Sequence, residues 1–181
     1  MTRLIRVIVL SLTVAVVAGA SATAEATEVG RGRNFGLGFQ VGDPTAIIGK
    51  VFVGGENAID FGLGFGGWGY GRCRDRNGRW YYDCGGYGRD LSLHGDFLWQ
   101  ENLVRQNVNL DWHIGAGARV IFWDTFDDTY TALIGRMPLG LDLSFNRPSF
   151  LEVFFEIAPG LQIWPRLDFD IDAALGVRFY F

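Results

Sequence analysis

Apolar and polar residues alternate along most of the chain beyond residue 34. In the last segment, apolar residues take seven successive alternate positions from Phe169 to Phe181, and charged, small or polar residues lie between them. Because successive side chains of a strand point to opposite faces, this pattern predicts a strand with one apolar and one polar face. An ordinary strand has only about five or six residues in total. The C-terminal segment is therefore predicted to be an unusually long strand.

Seven earlier segments repeat the alternation, which brings the predicted number of strands to eight. Turn residues at 42–45, 54–57 and 146–149 separate some of them, and residues 100–106 are predicted to be a modest connector. Two longer polar connections lie at 71–88 and 124–132. Short and long connections alternate along the chain, as they do in bacterial outer-membrane barrels, although the first turn of the outer set, at 42–45, is short. The long connections are therefore expected at the outer surface.

Eight antiparallel strands are compatible with a soluble sandwich, a lipocalin-like barrel or an outer-membrane barrel. A lipocalin has an apolar interior for its ligand, whereas in this chain the charged face must be the enclosed one if the barrel crosses lipid. The strands are also long enough for a tilted membrane span of about 9 to 11 residues. The sequence therefore predicts an all-β fold, an eight-stranded antiparallel up-and-down transmembrane β-barrel. Its predicted polar lumen network consists of Lys50, Asp60, His94, Asp96, Asp111, His113, Arg119, Arg136, Asp142, Glu152, Glu156, Asp172 and Arg178.

The N-terminal segment has the layout of a secretory signal. Arg3 and Arg6 precede the apolar run at 7–20, and small residues ending in Ala22-Thr23-Ala24 follow it. A membrane-anchoring helix is the alternative, but the run is shorter than the roughly 20 residues that a spanning helix needs. Residues 1–24 are therefore predicted to be a signal peptide, and residues 25–181 the barrel domain.

The composition of the predicted barrel domain argues against some kinds of ligand. Without Arg3 and Arg6, 14 basic residues stand against 20 acidic ones, which gives a net charge of −6. A domain that binds nucleic acid needs a basic patch, so the negative net charge argues against nucleic-acid binding. Cys73 and Cys84 are the two cysteines of the chain, and in an oxidising envelope they are predicted to form one disulfide across the long loop. We expect no metal site at the cysteines, and no cofactor.

The C-terminus resembles the signal that the barrel-assembly machinery reads in outer-membrane proteins. A terminal aromatic residue is preceded by apolar residues at alternate positions, namely Phe181, Phe179, Val177, Leu175 and Ala173. The chain from residue 25 resembles small eight-stranded barrels of the OmpA/OmpX/OmpW type. The stretches GDPTAIIGKVFVGGENAIDFGLGF, PLGLDLSF and DFDIDAALGVRFYF resemble more closely a group of uncharacterised outer-membrane barrels. This resemblance implies outer-membrane localisation, contact with outer-membrane lipid and the assembly machinery, and a monomer.

The predicted function is non-enzymatic, in envelope structure or surface interaction, and the ligand of the loops is not indicated by the sequence. An eight-stranded barrel has room inside only for side chains, so a plugged lumen is expected, with glycines making space for crossing charges. A narrow pore for small solutes is one alternative. A lipid-modifying hydrolase is the other, since Ser92, His94 and Asp96 share one face of a strand, with Asp111 and His113 on the next. Such spacing, about 6.6 Å per step, is too wide for direct hydrogen bonds along the strand.

Overall fold

The computed structural model describes residues 33–54, 56–65, 72–74, 80–82, 90–124 and 129–181. Within these ranges, side chains are described for 33–54, 56–65, 91–122 and 131–181. The predicted signal peptide and Cys84 lie outside the described residues. In the part of the chain that is described, no helix is long and apolar enough to span a membrane.

The described residues contain eleven strand segments, and all the pairings between them are antiparallel. They are β1 (Phe35–Asp43), β2 (Ala46–Gly54), β3 (Asn57–Phe65), β4 (Arg72–Arg74), β5 (Trp80–Tyr82), β6 (Asp90–Arg105), β7 (Val108–Asp124), β8 (Thr129–Arg136), β9 (Leu139–Phe145), β10 (Leu151–Trp164) and β11 (Asp168–Tyr180).

Nine of these segments form one closed sheet. From β1 to β7 each segment of this sheet pairs with the next one in sequence. Segments β8 and β9 do not pair with each other, but each pairs with both β7 and β10, and β11 pairs with β10 and returns to pair with β1. Strands β8 and β9 are one strand of the barrel interrupted at Met137-Pro138, because a proline has no N–H to donate to the ladder. The Pro138 carbonyl still accepts the Gly115 N–H, at 2.8 Å. The ring therefore has eight strands, and the predicted antiparallel up-and-down barrel is confirmed.

The hairpin of β6 and β7 is longer than the sequence suggested. Residues 100–105, predicted to lie in a connector, continue β6, and the chain turns at Gln106 and Asn107. A β-bulge between Asn102 and Val104 shifts the register there and absorbs one extra residue. The prediction of a connector was wrong because a bulge breaks strict alternation without ending the strand.

The long connection at 71–88 contains structure of its own. Within it, β4 and β5 pair as a small separate sheet in which Cys73 lies opposite Tyr81. Aromatic residues favour strands, and β5 consists of Trp80, Tyr81 and Tyr82. The sequence predicted a long connection at 71–88, and it did not indicate that these six residues pair as strands.

Side chains are distributed inside-out relative to a soluble barrel. Apolar side chains on the outer face of every barrel strand are solvent-exposed, as at Phe39, Ile47, Leu175 and Phe169, with exposed fractions of 52 to 67%. Among the described side chains, charged residues in the middle of the barrel strands face inward and are buried. A soluble protein rarely exposes a continuous apolar band of this extent. The outer surface is therefore suited to an apolar surrounding.

Candidate functional site

The enclosed face of the barrel carries a network of ion pairs that begins in a layer near the C-terminal end of β11. Arg178 lies at its centre and is 1% exposed. Its guanidinium donates to Asp60, to Glu152 Oε1 at 2.8 Å and to Asp142 Oδ1 at 3.4 Å. Lys50 Nζ donates to Asp142 Oδ2 at 2.9 Å. These five side chains come from five segments, β2, β3, β9, β10 and β11, so the layer ties opposite walls of the barrel together.

His113 links this layer to a second one. Its Nδ1 lies 2.9 Å from Asp142 Oδ2, and its Nε2 lies 3.3 Å from Glu156 Oε2. Glu156 Oε1 then accepts from Arg136 Nη2 at 2.5 Å, and Arg136 Nη1 donates to Asp172 at 3.2 Å. The imidazole therefore connects two groups of charges that would otherwise be separate.

Arg119 extends the network to the turn between β1 and β2. Its Nη1 donates to Asp172 Oδ1 at 2.5 Å, and its Nη2 lies 3.4 Å from Asp43 Oδ1. Asp43 is the last residue of β1, beside the turn into β2. At the opposite end of the barrel, the Tyr180 hydroxyl donates to Glu152 Oε2 at 3.0 Å. A continuous chain of polar contacts thus runs through the interior from Tyr180 to Asp43.

The structure buries every side chain of the predicted lumen network, each at 8% exposure or less. It does not bring all of them together. Asp111 accepts a hydrogen bond from Asn102 Nδ2 at 2.6 Å and has no ion pair in the described part of the chain. His94 Nε2 lies 3.6 Å from Asp60 Oδ1, and Asp96 Oδ1 lies 3.4 Å from Arg136 Nε, so both contacts are longer than the 2.8 and 2.9 Å contacts of the central layer.

The interior is less uniformly polar than the alternation suggested. Three groups of buried apolar side chains lie among the charges: Phe52, Ala58, Leu98 and Tyr180; Ala46, Ile48 and Phe154; Ile121, Ala132 and Ile134. The Arg178 guanidinium carbon lies 3.8 Å from the centre of the Phe154 ring, a cation–π contact. Charges and apolar groups therefore share the interior.

Inward-facing glycines accommodate the residue directly opposite them. A Cβ at Gly62 would lie 2.3 Å from the ring of His94, its cross-strand partner, and one at Gly176 would lie 2.4 Å from the ring of Phe154. The same relation holds for Gly36 and Tyr180. The sequence indicated that glycines make room for the crossing charges of Arg119, Arg136 and Glu156. At these three positions the room is instead taken by a ring lying against the wall.

Ser92, His94 and Asp96 do not form a catalytic relay. All three face inward on β6, but the Ser92 hydroxyl has no hydrogen-bond partner in the described part of the protein. The observed register pairs His94 with Arg119 and His113 with Gln100, so the two histidines do not lie opposite each other in the hairpin. The hairpin closes farther along, at 106–107, for the reason given above.

Several interior residues were missed by the sequence pattern. Arg33 precedes the first strand, is 7% exposed, and donates to the Ser149 carbonyl at 3.1 Å. Its guanidinium also lies 5.4 Å from the centre of the Tyr180 ring. Tyr180 alternates with the outward-facing Phe179 and Phe181, so the alternation could have predicted that its side chain faces the interior. Arg33 precedes the alternating segment, so the alternation could not have placed it. Together these residues cover the end of the barrel at which β11 finishes.

The described residues include no group of three or more His, Cys, Asp or Glu side chains placed to bind a metal ion. The predicted disulfide stays a prediction, because Cys84 lies outside the described residues and only the backbone of Cys73 is described. Of the predicted assembly signal, Leu175, Phe179 and Phe181 are exposed on the outer face, with Phe181 at 78%. Their role in assembly also stays a prediction.

One solved structure shows a weak likeness to this chain, and no sequence match supports it. No protein-family model matches the chain, and no curated protein sequence matches it. Among solved structures, Ail, the attachment invasion locus protein of Yersinia pestis, is similar over 81% of this chain and 93% of its own, with 12% identity and a TM-score of 0.37. A likeness of this degree carries no argument, and the architecture rests on the strand pairing of the chain itself.

Proposed function

We propose that this protein is an integral outer-membrane β-barrel with a closed lumen and no enzymatic activity, which serves envelope structure or surface interaction through its outer loops. The observation that carries the proposal is the inside-out barrel, with apolar side chains outside and ion pairs inside. In hydrocarbon, each backbone polar group needs a partner, and a closed ring of paired strands supplies it. Each of the eight barrel strands has at least nine residues, if β8 and β9 are taken together, which is enough for a tilted span.

The partners follow from the same surface. Lipid acyl chains cover the outer apolar band, and the barrel-assembly machinery reads the C-terminal strand ending in Phe181. A closed ring leaves no unpaired strand edge along its wall, so nothing in the wall requires a second copy of the chain. The protein is therefore proposed to be a monomer.

Membrane insertion is tested by cell fractionation and gel mobility. The protein is expected in the outer-membrane fraction, and its unboiled form should migrate differently from its boiled form because a folded barrel resists detergent. Phe39→Arg, in the middle of the outer band at 56% exposure, should reduce the folded form strongly. The cost of arginine on a lipid face is about 2–4 kcal/mol at the bilayer midplane.

Asn107→Arg is the matched control for Phe39→Arg, because it adds the same charge in the exposed turn between β6 and β7. It should fold like the wild type. Recovery of the wild-type protein as a soluble periplasmic species would contradict membrane insertion, as would equal folding of the two arginine variants.

Closure of the lumen is tested by conductance in planar bilayers. The wild-type barrel should give no stable single-channel steps, because buried ion pairs occupy its cross-section, among them the Lys50–Asp142 pair that joins β2 to β9 on the opposite wall. A general diffusion porin inserted in the same lipid serves as the positive control. Reproducible steps from the purified protein would replace the closed barrel with the narrow pore that the sequence left open.

A further inference from the structure

Strand β11 extends past the end of its neighbour β1, at the end of the barrel where β1 turns into β2. The ladder between them is closed up to the pair of Asp43 and Ala173, and residues 168–172 of β11 continue beyond it. On the other side, β10 accompanies these residues as far as Asp168, which lies opposite Gln162. In the described part of the chain, residues 168–172 therefore have a strand partner on one side only. We call them the free edge.

The backbone N–H groups of β11 point alternately to its two neighbours. Tyr180 donates its N–H to the Phe150 carbonyl beside β10 at 2.8 Å, and Phe181 donates to the Phe35 carbonyl of β1 at 3.0 Å. The register of β11 with β10 is unbroken along the whole strand, so this direction repeats every second residue. The odd-numbered residues of the free edge, Phe169 and Ile171, therefore direct their N–H groups to the side where β1 has ended.

Both of these N–H groups have a side-chain acceptor. Phe169 donates to Asp168 Oδ1 and Ile171 donates to Asp170 Oδ1, each at 3.1 Å. The Asp168 carboxylate is itself held in place, because its Oδ2 lies 2.5 Å from Arg166 Nη2. Each carboxylate thus takes the place of the backbone carbonyl that a neighbouring strand would supply.

Without these acceptors the free edge would be suited to pairing with another strand. The side chains of Phe169 and Ile171 face outward and are 67% and 54% exposed. An apolar strand edge with unpaired backbone groups is a template for another chain, and inward-pointing charged residues are one of the features that prevent such pairing. The free edge alternates these apolar residues with aspartates, so it contains both the template and the protection.

We propose that Asp168 and Asp170 protect the free edge against pairing with the same edge of a second copy of the chain. They do so by occupying the two N–H donors that such a pair would need. The inference rests on the proposed barrel, and it supplies a physical reason for a monomer at the place where ring closure alone leaves backbone groups open.

The charges of the free edge oppose the same pairing. Two copies related by a two-fold axis would present this edge to each other antiparallel. If their apolar faces lie on the same side, even-numbered residues oppose even-numbered ones. With Asp170 on the axis, for example, Asp170 faces its own copy and Asp168 faces Asp172. Like charges directly opposite each other are destabilising. A slip of one residue avoids them, but it turns the apolar face of one copy to the polar side of the other.

The test is the molar mass of the folded protein in detergent micelles, measured by size-exclusion chromatography with light scattering. The wild type should have the mass of one chain. Asp168→Ala/Asp170→Ala removes both acceptors and two of the facing charges, so the protein mass per micelle should double. A wild-type dimer, or a folded double variant that stays monomeric, would overturn the proposal.

Adding Ile171→Pro to the double variant shows whether the dimer forms through the free edge. Proline has no N–H, and the Ile171 N–H points away from β10, so no bond of the β10–β11 ladder is lost. The triple variant should return to the mass of one chain. A dimer that survives this proline forms through another surface and would overturn the proposal.

A second measurement needs no variant. In the wild-type protein, NMR should show that the Phe169 and Ile171 amide hydrogens exchange with solvent several-fold more slowly than in an unstructured peptide of the same sequence, because the carboxylates hold them. Exchange at the peptide rate would overturn the proposal even if the double variant fails to fold. A wild-type protein that still shows the heat-dependent shift in gel mobility would keep the proposed barrel, so the two proposals can fail separately.

Discussion

Replacing Arg178 with methionine should lower the free energy of unfolding by about 3–5 kcal/mol, the range for removing one partner of a buried ion pair. Methionine has a similar length and no charge, so the change leaves the carboxylates of Asp60, Glu152 and Asp142 without their shared cation. Lys50 contacts two of these carboxylates but not Asp60. The measurement is denaturant unfolding in detergent or vesicles, followed by the heat-dependent shift in gel mobility.

Arg166→Met is the matched control. Arg166 also pairs with a carboxylate, that of Asp168 at 2.5 Å, but both side chains are about one-third exposed, at 33% and 36%. An exposed pair contributes about 0–1 kcal/mol, so this variant should unfold nearly as the wild type does. Adding Asp60→Asn to Arg178→Met should recover part of the loss, because it removes one uncompensated charge. Equal stability of the two single methionine variants would show that the central ion pairs do not hold the barrel walls together.

Substitution of Gly38 by alanine should prevent the barrel from closing. A Cβ at this position would lie 1.9 Å from the carbonyl oxygen of Val177, a backbone atom that no rotamer change can move. Gly38 pairs with Arg178 across the contact between β1 and β11, the first and last strands of the ring. We expect a loss of at least about 3 kcal/mol, the upper end of the usual cost of overpacking. The folded band on unheated gels should be lost or strongly reduced.

Gly95→Ala tests whether this effect is specific to the position. Gly95 also lies within a barrel strand, but a Cβ there would meet no atom within 4 Å. Its alanine variant should stay within about 0.5 kcal/mol of the wild type, as most surface substitutions do. If Gly38→Ala folds as well as Gly95→Ala, the close approach of β1 to β11 is not a constraint on closure.

The alternation of residue types was sufficient to predict the wall of the barrel. Strand existence and the inward direction of Lys50, Asp142 and Arg178 follow from a period of two residues, and a one-residue slip would reverse that direction. The antiparallel order follows from the short connections between successive strands. The pattern failed where the backbone departs from that period. The bulge between Asn102 and Val104 and the interruption at Pro138 are two such places.

The direction of a side chain could be read from the sequence, but its partner could not. Lys50 lies opposite Asp60 in the strand ladder, yet its ammonium group binds Asp142, 92 residues away on β9. That choice depends on which side chains meet across the interior, and this is determined by the register around the whole ring. The same reason explains why Arg33, outside any strand, could not be placed.

The sequence by itself determined the number of strands in the barrel, the face that each strand turns inward and the apolar character of the outer surface, because these depend on local alternation. Which charges pair and which rings lie against glycines depends on the tertiary structure. Ring closure brings segments such as β2 and β9 within contact distance, although they lie far apart along the chain. Long-range contacts of this kind carry no local signature, so they emerge only when the ring is complete.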